Sequence, residues 1–180
     1  MNNQTIKNWA LRIFELARAF ILLVMVFYLF YLFILTIFFV SGPSMEPNFK
    51  DKEILLINKA AYWFNEPQRK DVIVFFFPGE KKSKYIKRII GMPGETIELK
   101  DNGFYSNGKK IYEPYIPITT KTLEIVKGKN KWVLGADEYF VVGDNRSNSN
   151  DSRVWGALPK KEIIGKVWLR LLPFSEFGEI

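Results

Sequence analysis

Ser44, Lys87 and the polar run 143–153 hold the groups that could do chemistry in a chain of 180 residues with no histidine and no cysteine. That absence excludes a thiol nucleophile, a disulfide framework and a His/Cys metal site, and leaves Lys, Asp, Glu and Tyr as the available acid–base groups. A serine hydroxyl is a poor nucleophile until a neighbouring base takes its proton, so a lysine able to stay neutral must stand beside it. Ser44 lies in Val40-Ser41-Gly42-Pro43-Ser44-Met45-Glu46-Pro47-Asn48-Phe49. Gly42 and Pro43 break any preceding helix, and Pro47 keeps the segment extended, so the hydroxyl sits on a stiff loop. A plain linker between an anchor and a domain is the other reading of these residues.

Lys87 is the candidate base. In a strand over Tyr85–Ile90 it shares a face with Tyr85 and Ile89, while Arg88 lies with Ile86 and Ile90. Desolvation there favours the free amine. Bringing a reference pKa of about 10.4 down to about 8 takes about 3 kcal/mol, within the range of buried lysines. Against this stands a lysine that merely snorkels to the sheet edge. The third stretch, Gly143-Asp144-Asn145-Arg146-Ser147-Asn148-Ser149-Asn150-Asp151-Ser152-Arg153, cannot be buried without internal pairing. Asp151 and Arg153 have the types to pair with each other or with Arg88. Asp144 and Asp151 also suggest a calcium loop, but the EF-hand spacing and its terminal Glu are missing, and a solvated loop explains the composition better.

The elements that must position these groups follow from hydropathy. Residues 1–18 carry Lys7, Arg12 and Arg18 against Glu15, and residues 19–40 carry no charge. Those 22 residues span about 33 Å as a helix, which matches a hydrocarbon core of about 30 Å and predicts one transmembrane helix over 19–40. A cleaved signal peptide has a shorter apolar core and a small-x-small exit, which Phe39-Val40-Ser41 lacks. The cationic tail puts residues 1–18 in the cytoplasm and residues 41–180 on the outer side of the plasma membrane.

Past residue 40, short runs rich in branched and aromatic residues (53–58, 71–77, 85–90, 96–99, 131–134, 139–142 and 163–172) alternate with Pro-Gly and Asn-Gly punctuation. Asn107-Gly108 marks a two-residue hairpin. The expected fold is mostly β, an antiparallel barrel or sheet behind the anchor, with a small β insertion over about 103–130. A net charge of +7 invites a nucleic-acid partner, yet the lysines are dispersed among turns with no arginine-rich helix. A basic face toward anionic lipid fits better, and no nucleic acid is expected. Tyr62-Trp63-Phe64 and Phe174 to Phe177 are candidates for either the headgroup layer or core packing.

These stretches together resemble type I signal peptidases, the membrane-bound Ser-Lys endopeptidases that remove signal peptides. Ser41-Gly42-Pro43-Ser44-Met45-Glu46-Pro47-Asn48 looks like the nucleophile box, and Arg69-Lys70-Asp71-Val72-Ile73-Val74-Phe75 resembles the first core strand box. Tyr85-Ile86-Lys87-Arg88 with Gly91-Met92-Pro93-Gly94 is similar to the general-base box, and Gly143–Arg146 through Asp151–Arg153 to the last. The resemblance implies Ser44 as nucleophile and Lys87 as general base, with no metal or cofactor. It further implies that Ser149 hydrogen-bonds and orients the Lys87 amine. Asp144, Arg146, Asp151 and Arg153 would form salt-bridging scaffold with Arg88 as partner, and Met45, Phe49, Val74, Tyr85 and Ile86 would line pockets for small substrate residues. For the oxyanion the resemblance implies a backbone N–H, of Ser44 or of Gly42, acting alone or with a contribution from Ser41. Preproteins and the lipid bilayer are the implied partners. A specialised Ser-Lys processing peptidase of the pilin-maturing kind, or a non-catalytic membrane-tethered β module, would carry some of the same features.

Overall fold

The computed structural model describes residues 3–180, which form two compact units divided between Leu35 and Thr36. The first is a single helix, α1 (Asn3–Ile34), with apolar side chains exposed all round, from Trp9 to Phe33. A helix apolar on every side has no soluble core to face. By length and composition it can cross a membrane from Lys7 to Ile34. It begins well before the predicted start at residue 19 and stops six residues before the predicted end. Leu35–Phe39 instead forms strand β1. The physical reason is that Thr36, Ile37, Phe38 and Phe39 are branched or aromatic, and β1 has a sheet neighbour, β2 (Ile54–Asn58), to pair with.

The second unit is built on antiparallel pairs. β3 (Val72–Phe77) and β4 (Glu80–Gly91) are central in a sheet that also contains β9 (Glu138–Val142), β10 (Leu158–Pro159), β11 (Ile163–Leu172) and β12 (Gly178–Glu179). Its order is β1-β2-β11-β3-β4-β9-β10, with β12 on β11. The two ends of that order are not neighbours, so the sheet is open rather than a closed barrel. A four-stranded sheet of order β7-β6-β5-β8 contains β5 (Thr96–Lys100), β6 (Gly103–Ser106), β7 (Lys109–Lys110) and β8 (Lys131–Val133). It extends on both sides of the insertion expected over 103–130. Asn107 and Gly108 turn from β6 to β7 with φ of 48° and 80°, the left-handed pair that such a hairpin demands.

β4 holds Lys87, the expected base, between neighbours on both sides. Ile73 of β3 stands opposite Lys87 and Val72 opposite Arg88, while Val142 of β9 faces Arg88 from the other edge. Alternation sends its side chains to opposite sides: Ile86 joins Val40, Met45, Phe49, Leu55 and Val74, and Ile89 joins Ile73, Phe75, Tyr139 and Val141. Trp63, Phe64, Phe174 and Phe177 are all exposed, so core packing is not their role.

Candidate active site

The turn carrying Ser44 is shaped by its own sequence. Gly42 takes φ of 83°, a conformation that favours glycine, and Glu46 N–H donates to Pro43 O at 3.1 Å. Phe49 N–H donates to Met45 O at 3.0 Å, which puts Met45 and Phe49 on one side of a single turn. Both are buried in the first core cluster and plug the turn into the sheet. From the other side Asn145 clamps it, its backbone N–H donating to Ser44 O and its side chain to Pro43 O, each at 3.1 Å.

Lys87 Nζ lies 2.7 Å from Ser44 Oγ and 2.8 Å from Ile86 O. The side chain is buried, with its ammonium end over the Tyr85 ring. Burial pulls the amine from its ordinary 10.5 down to about 8; the Asp151 and Asp144 carboxylates act against that fall, and Arg153 adds to it. A neutral amine within hydrogen-bond reach of a serine hydroxyl is a nucleophile–base pair.

Behind it the remaining buried charges are paired. Asp144 accepts from Arg88 Nε at 2.9 Å and Nη2 at 2.6 Å. Asp151 accepts from Arg153 Nε at 2.9 Å and Nη2 at 2.8 Å, and from Gly143 N–H at 3.0 Å. It also caps the short helix α2 (Ser152–Trp155). Arg146 pairs with Glu113 and donates to Thr122 Oγ1 at 2.9 Å. The oxygens of Asp144 and Asp151, weighed above as calcium ligands, are therefore held by N–H donors.

Residues 13–172 match the family model described as signal peptidase, peptidase S26. A Bacillus caldolyticus protein named signal peptidase I is 41% identical over 150 residues, 77% of this chain and 80% of that protein. A Staphylococcus aureus protein named signal peptidase IB is 36% identical over 178 residues, 92% of this chain and 90% of that protein. A solved signal peptidase I from Enterococcus faecalis is 31% identical and covers 57% of this chain and 97% of its own, with a TM-score of 0.47. The chain belongs to the signal peptidase S26 family.

Within this S26 chain, several expected contacts fall elsewhere. Ser149 does not bond Lys87. Its Oγ is buried without a hydrogen-bond partner among the described residues, because the amine has turned to Ser44 and to Ile86 O. Ser149 packs instead against Gly143, where an added Cβ would lie 2.3 Å from both Ser149 Oγ and Ser44 O. The Gly42 N–H, considered for the oxyanion, donates to Asp51 Oδ1 at 2.7 Å. The Ser44 N–H donates no hydrogen bond among the described residues.

A groove of about 450 Å³ is lined by Phe38, Phe39, Ser41 and Ser44, by Ser83, Lys84, Tyr85, Ile86 and Lys87 of β4, and by Asn150. Tyr85 and Ile86, two of the expected pocket residues, line this groove. Met45, Phe49 and Val74 do not line it; they are the packed floor that holds the turn and Ile86 in place. Sequence reasoning missed Glu113, Tyr115 and Asn145. Asn145 was findable, since it directly follows Asp144. Glu113 and Tyr115 lie in the insertion, and nothing local marks them as partners for arginines more than twenty residues away.

Proposed function

We propose that this chain is a membrane-anchored serine endopeptidase that removes signal peptides from exported preproteins after small-x-small sequences. The observation that carries this is the 2.7 Å contact between Ser44 Oγ and a buried lysine with no ion-pair partner among the described residues, in a member of the signal peptidase family. Neutral Lys87 takes the Ser44 proton as the oxygen attacks the scissile carbonyl. The Ser44 N–H, otherwise uncommitted, faces the developing oxyanion, with the Ser41 hydroxyl in the same groove as the second donor. Lys87 then gives its proton to the leaving amine, and the mature chain departs. Water, deprotonated by the same amine, hydrolyses the acyl-enzyme and frees the signal peptide. No metal or cofactor takes part in these steps.

The groove admits an extended segment along 38–41 and β4, where Tyr85 and Ile86 leave room for small side chains. Ser149 fills the space at Gly143 beside the Ser44 carbonyl, and Arg88, Asp144, Arg146, Asp151 and Arg153 hold the shape of the site. The helix anchors the enzyme in the plasma membrane, with the cationic N-terminal residues in the cytoplasm and the β unit outside. Substrate and enzyme are thereby confined to one surface, which raises their effective concentration. The chemistry is tested by cleavage of a preprotein with purified Ser44→Ala and Lys87→Ala; near-normal turnover by either folded variant overturns it. Orientation is tested with single cysteines, which the natural chain lacks entirely, placed at the N-terminus or in an exposed turn such as Asn107. Labelling of the N-terminal cysteine by an impermeant reagent in intact cells would reverse the assigned topology.

A further inference from the structure

Asn48 joins the two halves of the site. It lies four residues past Ser44, at the end of the turn that Met45 and Phe49 pin into the core, so it moves with the nucleophile. Its side-chain amide donates to Asp144 Oδ2 at 2.8 Å and to Tyr115 O at 2.7 Å, and its own carbonyl accepts from Arg170 Nη2 at 2.5 Å. Arg170 in turn pairs with Glu53 at 2.9 Å and Glu176 at 2.8 Å, so the far end of the turn is moored to β11.

Asp144 faces the other way as well. The same carboxylate accepts two hydrogen bonds from Arg88, the residue after Lys87 on a strand held by neighbours on both edges. One buried carboxylate therefore receives a donor from the turn that carries Ser44 and two from the strand that carries Lys87. We infer that Asp144 is a spacer that sets the distance between Ser44 and Lys87, and that Asn48 is the positioning residue that ties the nucleophile's turn to it.

The inference rests on the Ser-Lys reading above. The residue type matters, because a primary amide has two N–H donors in one plane and reaches two acceptors at once, whereas a threonine hydroxyl has one proton and leucine none. The tolerance is small: a heavy-atom separation near 2.7 Å allows proton transfer, and an error of about 1 Å can cost about a hundredfold in rate.

The test uses the full chain in detergent micelles with a preprotein substrate, comparing wild type, Asn48→Leu and Asn48→Thr. Asn48→Leu is expected to lower kcat about 10- to 100-fold with KM changed less than about twofold. Asn48→Thr should recover part of that loss, and it decides the matter if the leucine variant does not fold. The pH midpoint of activity stays near 8, since Lys87 remains as buried as before. Amide hydrogen exchange should accelerate over residues 43–49 and stay unchanged over β4.

A kcat within about twofold of wild type in a folded Asn48→Leu, a rise in KM alone, or exchange accelerated equally over the whole chain would overturn the spacer role and leave the peptidase reading standing. Wild-type protein that leaves the preprotein intact would overturn the peptidase reading, and the positioning role with it.

Discussion

Lys87 and Arg88 are consecutive residues of β4, both buried, yet the two faces they occupy are electrostatic opposites. On the Arg88 side every buried guanidinium has a carboxylate: Arg88 with Asp144, Arg146 with Glu113, Arg153 with Asp151. On the Lys87 side the amine is given a hydroxyl and a carbonyl and no carboxylate within hydrogen-bond reach. A guanidinium cannot shed its proton at any ordinary pH, so burying one demands a partner; an ammonium can, and burying one without a partner makes it a base. The arginine side is neutralised pair by pair, and on the lysine side burial pulls the amine's pKa down.

The contrast breaks first at the chemistry. Ser44→Ala or Lys87→Ala should lower preprotein cleavage by about a thousandfold or more while leaving the far-ultraviolet circular dichroism unchanged. Next comes the arginine side, where Asp151→Ala strands the fully buried Arg153 guanidinium and should cost about 3–5 kcal/mol in denaturant unfolding.

Lys87→Met sharpens the comparison from the opposite direction. The folded-state pKa lies below the unfolded one, so the unfolded chain binds the extra proton between pH 8 and 10.5, and wild-type stability climbs with pH across that window. Below pH 8 the whole cost of burying the ammonium is present, and Lys87→Met should be more stable than wild type by about 3 kcal/mol. Above 10.5 the difference should vanish; an equally large gap at pH 7 and pH 11 would show that packing, not charge, is responsible. For the wild-type enzyme, kcat/KM should rise with pH through a midpoint near 8, and an acid optimum would rule out an amine base. Smallest of all, Lys160→Ala removes an exposed partner of Glu66 and should leave the melting temperature unchanged within error.

Much of the fold was legible because period and residue type agree. Val72–Phe77 is branched and aromatic throughout, Ile163–Leu172 is rich in such residues, and Asn107-Gly108 permits the turn that joins β6 to β7. The helix end was not legible from hydropathy, since Leu35–Phe39 is as apolar as the helix before it; only its branched residues and the availability of β2 tip it to strand. At the site, the absence of histidine narrowed the base to a few residue types, and it was the resemblance of four boxes in order that singled out Ser44 and Lys87. What the sequence hid was long-range geometry. Whether the Lys87 amine turns to Ser149 or to Ile86 O, whether the Gly42 N–H is free or held by Asp51, and that Glu113 reaches Arg146 all depend on how distant loops come together.

Stripping one amine of water also divides the molecules into two populations. Burial lowers the amine to about 8, so free base and ammonium coexist around neutral pH and the balance moves to the free base as pH rises. Under the proposed mechanism, a modest alkaline drift would recruit the ammonium copies and raise throughput without the synthesis of a single new chain.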